Sequence, residues 1–62
     1  MTLDQVIRNV ENTIKGKETY LSTVPKDGSA VNTVVHSFVQ LNLTDLYRIL
    51  VDLRECKGNG NG

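Results

Sequence analysis

A chain of 62 residues with seven Lys and Arg against seven Asp and Glu carries no net charge to draw it to nucleic acid or anionic lipid, and its basic residues are scattered. This length allows one domain at most and buries only about 60% of the unfolded surface, so the fold needs help. An intrachain disulfide is excluded, because Cys56 is the single cysteine; self-association is the expected source of further burial, and a lone cysteine fits a reducing cytoplasm.

Met1-Thr2-Leu3-Asp4 has no charged stretch leading into an apolar run, so no signal peptide is expected. Nowhere does the chain approach the roughly 18 consecutive apolar residues of a membrane span. Thr2 and Gln5 have the spacing of a capping box, which predicts a helix start. Leu3, Val6, Ile7, Val10 and Ile14 then form a stripe opposite Asp4, Arg8, Glu11, Asn12 and Lys15. Gly16 is a candidate terminator, but the stripe continues through Lys17, Leu21 and Val24, and an interior glycine costs only about 1 kcal/mol relative to alanine. One helix to about Thr23 is expected. Thr19 to Val24 also reads as a strand, being rich in β-formers. Pro25-Lys26-Asp27-Gly28 is a turn on either account.

Between Ser29 and Leu41, Val31, Val34, Val35, Phe38, Val39 and Leu41 fall within an arc of roughly 160° on a helical wheel. Asn32, Thr33, His36, Ser37 and Gln40 fill the other side. The valines favour a strand, yet period two fails at Val34-Val35 and Phe38-Val39. A second helix is expected, with Asp27 or Ser29 as its N-cap. After Leu41-Asn42-Leu43, where a join is expected and Asn42 is the candidate cap, Leu43, Leu46, Leu50 and Leu53 repeat at spacings of three and four. Tyr47, Ile49 and Cys56 broaden this face. Lys57 and Gly58 read as its end, and 58–62 as a disordered tail behind a single helical domain of 1–57.

Chemistry is sparse. His36 is the only histidine and is expected on a solvated polar face, with no second ligand at zinc spacing. A nucleophilic pair of Cys56 and His36 would lack an orienting group and an oxyanion hole. Asp52 and Glu55 have Arg48 and Arg54 beside them, as on a salt-bridged surface. The glycines form no phosphate-binding loop. Neither catalysis nor a cofactor, metal or small-molecule substrate is expected.

From Thr19 to Lys57, a β-prone stretch, a proline and two helical segments resemble the ribbon-helix-helix repressors. That resemblance implies an intertwined DNA-binding dimer whose ribbon presents Tyr20, Ser22 and Val24, or Leu21 and Thr23, to the major groove. The long amphipathic segment ahead of the strand, the long gap after Pro25 and the nearly uncharged ribbon depart from that pattern. Over the whole chain, the small size, the Thr-Leu-Asp-Gln start and the Gly-Asn tail resemble the short early-region accessory proteins of lambdoid phages, encoded between the exonuclease and excisionase genes. This implies a protein of the host cytoplasm that binds a host or phage factor.

Together these readings predict an all-α fold of two to three amphipathic helices in an antiparallel arrangement, dimeric, serving a non-enzymatic protein-interaction or regulatory role; the alternative is the DNA-binding ribbon dimer. Val35, Phe38, Leu46, Leu50 and Leu53 are the expected core or dimer-packing residues, and Asn32, His36 and Gln40 the expected partner surface.

Overall fold

Thr2 and Gln5 cap each other. The Gln5 N–H donates to Thr2 Oγ1 at 3.1 Å and the Thr2 N–H to Gln5 Oε1 at 2.9 Å, satisfying two amides that the first helical turn leaves without partners. The computed structural model describes residues 1–59. In it α1 spans Leu3–Thr23 and α2 spans Ala30–Asn59, packed as an antiparallel hairpin of 50 × 16 × 15 Å.

α1 passes through Gly16 without interruption, because that residue lies on the exposed side, where an added Cβ would meet nothing within 4 Å. Thr19 to Thr23 is helical and not a strand, and no strand occurs among the described residues, so the ribbon of the repressor resemblance is missing. The β-prone side chains adapt by folding back: the hydroxyls of Thr19, Ser22 and Thr23 donate to carbonyls one turn earlier at 2.8–2.9 Å. Packing of Tyr20 on the core, beside the helix former Leu21, outweighs the strand preference of the segment. Val24 then leaves the helix in extended conformation, its N–H still bonded to Tyr20 O.

Pro25 to Ser29 reverse the chain, with Gly28 at φ 86°. Ser29 is the N-cap of α2, its Oγ accepting from the Asn32 N–H at 3.1 Å. Asp27 braces the cap by accepting from the Ser29 N–H at 2.8 Å. This bond and that to the Ser29 hydroxyl hold the Asp27 pKa below the usual carboxylate value. Asn32 reaches back to the loop, accepting from the Asp27 N–H and donating to Pro25 O.

α2 does not break at Leu41-Asn42-Leu43. Asn42 is half-buried inside a continuous helix and caps nothing, so the described residues hold no third helix. The helix also runs past Lys57 through Gly58 to Asn59; residues 60–62 of the expected tail lie outside the described residues.

The core follows a heptad-like pattern. Ile7 and Ile14 pack with Val39, Leu43 and Leu50, flanked by Val10, Tyr20, Leu21, Val35, Leu46 and Leu53. At the open end Arg54 pairs with Glu11 at 2.7 Å and Lys57 with Asp4 at 2.5 Å, while the Tyr47 hydroxyl donates to Glu18. These exposed pairs fix the alignment of the helices more than they stabilise it, since such contacts contribute about 0 to 1 kcal/mol each.

Candidate interaction surface

Continuity of α2 decides which of its side chains meet α1. Counting back from Leu53 and Leu50 by fours and threes gives Leu46, Leu43, Val39, His36 and Asn32, and these, with Val35 and Asn42 at the margin of the seam, are the buried or half-buried positions of α2. The leucines of the second half set the rotation of the whole helix. Its first half must therefore turn Asn32 and His36 towards α1, although its more apolar side lies elsewhere.

His36 is accordingly buried at 4% exposure, not solvated, and leaves the expected partner surface. Its ring lies 5.7 Å from that of Tyr20, and its Nε2 has no hydrogen-bond partner. A buried polar atom in that state carries a desolvation cost of about 1 to 3 kcal/mol. Asn32 is taken up by the loop bonds already described, and only Gln40 of the three lies exposed. The expected group of Asn32, His36 and Gln40 thus does not form one surface. Of the expected packing residues, Leu50 is buried, and Val35, Leu46 and Leu53 pack half-buried on the core. Phe38 does not join them: it is 63% exposed on the far side of α2.

Phe38 has company there. Val31, Val34 and Leu41 are 75%, 66% and 67% exposed, and with Phe38 they repeat at spacings of three, four and three, two positions out of step with the buried seam. They form a second apolar stripe along the first half of α2, with a shallow groove between Ala30, Val31, Val34 and Val35 at its start. No Asp, Glu, Lys or Arg occurs between Asp27 and Asp45. Farther along, the same outward positions are Asp45, Arg48, Asp52 and Glu55, so the outer face changes from apolar to charged midway. The apolar residues of α2 are consequently less one-sided than those of α1. Exposed apolar patches of this kind, roughly 300 to 600 Å² on a typical monomer, commonly mark a contact site.

Among the described residues no other grouping approaches a site. Cys56 is exposed near the end of α2, twenty residues from His36 and so about 30 Å away along the helix. Among the described residues no three His, Cys, Asp or Glu side chains gather as metal ligands, and no helix is long and apolar enough to cross a membrane. The Tyr47 hydroxyl is used by Glu18, whose carboxylate holds the phenol pKa above its ordinary value. Comparison with family models, with curated proteins and with solved structures finds no match to this chain.

Proposed function

We propose that this chain is a small non-enzymatic interaction protein, regulatory in effect, that works in dimeric form through the outer face of the first half of α2. The observation that supports this is the stripe of Val31, Val34, Phe38 and Leu41, more than half exposed on an ordered helix and uninterrupted by charge. Burying one such side chain contributes about 1.5 to 3 kcal/mol, and the hairpin forgoes that gain at four positions in a row. A stripe repeating at spacings of three and four is suited to a helix or helical groove of matching period. An uncharged face selects for an uncharged partner surface, because any charge placed against it would be desolvated without a counter-ion.

The resemblance to lambdoid early-region accessory proteins supplies a setting for this proposal: the host cytoplasm, with a host or phage factor as the regulated partner. Affinity capture from a bacterial extract with the wild type and with Phe38→Glu tests the role of the face. Proteins retained by the wild type should be lost by the variant while its helical circular dichroism is unchanged. Equal retention by both would sink this reading.

A further inference from the structure

We propose that the outer face of α2 is covered by a second copy of the same chain, packed antiparallel about a two-fold axis at the level of His36. This rests on the reading of that face as an interaction surface and names its occupant.

The spacing of the stripe comes first. Val31 and Leu41 are equidistant from residue 36, and so are Val34 and Phe38. In an antiparallel pair centred there, Val31 of one copy meets Leu41 of the other, and Val34 meets Phe38. Each contact sets a smaller side chain against a larger one, which lets two helices interdigitate closely. A two-fold interface must be self-complementary in this way.

Charge selects the direction. In a parallel pair the outward residues beyond the stripe, Asp45, Arg48, Asp52 and Glu55, would each run beside their own copy along the second half of α2. The antiparallel arrangement instead carries each charged half past the other copy's turn into solvent, and leaves only the segment between Asp27 and Asp45 in contact. At each end of the contact Asp45 of one copy comes level with Lys26 and Asp27 of the other copy's turn, a meeting of mixed sign in place of the full run of like-charged pairs that a parallel arrangement would impose.

Area points the same way. The hairpin exposes 4621 Å², against about 4,000 Å² for a compact monomer of its mass. The surplus belongs to the elongated shape of the hairpin, 50 × 16 × 15 Å, which leaves a second copy surface to cover along α2. The hairpin core is thin, with no side chain below 2% exposure among the described residues, so a second copy also supplies burial that this length lacks.

Sedimentation equilibrium on the purified full chain from micromolar to millimolar concentration tests the association, and small-angle scattering tests the arrangement. Two rods of 50 Å overlapping around residue 36 by roughly 25 Å would reach roughly 75 Å, whereas a side-by-side pair would stay near 50 Å. A dimer of the longer dimension is expected. Phe38→Glu should raise its dissociation constant roughly a hundredfold or more by placing a charge in a desolvated contact, and Val34→Lys should act alike. Both residues lie outside the hairpin core, so both variants should remain helical monomers; Gln40→Glu, off the stripe, should still dimerise. A wild type that is monomeric throughout, a dimer near 50 Å long, or a dimer indifferent to both stripe variants would each overturn the proposal. A monomeric wild type whose protein capture still depends on Phe38 would remove the second copy but leave the interaction surface standing.

Discussion

The two halves of α2 solve the same problem differently. From Leu43 onward, the strongest apolar stripe of the helix is the one that meets α1, and the outward positions are charged. From Ala30 to Leu41 the relation is reversed: Val39 is the one fully apolar residue buried, His36 is buried beside it, and Val31, Val34, Phe38 and Leu41 point away. Both halves obey one rotation because no break separates them. A continuous helix cannot bury the better side of each half when those sides are out of phase, and here the leucine seam prevails. The first half is left with an interaction face, the second with a solvated one.

The difference between the two halves of α2 is largest at Leu50. Leu50→Ala should cost the hairpin about 2 to 5 kcal/mol in denaturant unfolding, while Val34→Ala, measured at a concentration where the chain is monomeric, should change it by less than about 0.5 kcal/mol. Equal costs would mean that the halves do not differ as described. Deleting Asn42 tests the rotation itself. One residue fewer turns the first half by about 100° relative to the second, which aligns Val31, Val34 and Phe38 with Leu43, Leu46 and Leu50 in one seam. The shortened chain should unfold at higher temperature, with a gain of roughly 2 to 4 kcal/mol from the extra apolar burial, and should no longer self-associate.

His36 offers a gentler probe. His36→Leu removes a buried nitrogen without a partner and should raise stability by roughly 1 to 3 kcal/mol, seen as an upward shift in thermal unfolding. A loss of stability would show that the imidazole is better accommodated than its surroundings indicate. The smallest effect belongs to the open end. Lys57 lowers the pKa of Asp4, chiefly by hydrogen bonding, so the contribution of this pair is complete above the ordinary carboxylate range and disappears as pH falls through the lowered value. Thermal unfolding should therefore show a slight decrease below about pH 4 that Asp4→Asn lacks.

Much of the architecture was legible locally. The Thr2 and Gln5 box, the passage of α1 through Gly16 to Thr23, the turn after Pro25 and the helical character of both later segments each follow from residues a few positions apart. The inward side of the first half of α2 does not. A wheel drawn for Ser29 to Leu41 alone puts Phe38 inside and His36 outside, because it lets that segment choose its own best face. The decisive information lies farther along, in the register of Leu43, Leu46, Leu50 and Leu53, and it reaches His36 only if Asn42 is read as helix interior. Asn42 resembles a cap in sequence, yet nothing there forces one, and leucines on both sides carry the helix through. Counting the leucine spacing backwards would have marked Asn32 and His36 as inward and exposed the second stripe.

Asn32 has a further consequence. By bonding to both Pro25 and Asp27 it ties the start of α2 to the loop, where the Ser29 cap and Gly28 already narrow the choice of backbone conformations. The turn end of the rod is thus held by directional bonds over a short loop, whereas the far end relies on exposed ion pairs between residues more than forty positions apart. Val31 and Val34 lie within the two helical turns next to that firm end. Contacts made there need little further ordering of the chain, so more of the apolar gain is retained as affinity than on a face that has to be organised during the encounter.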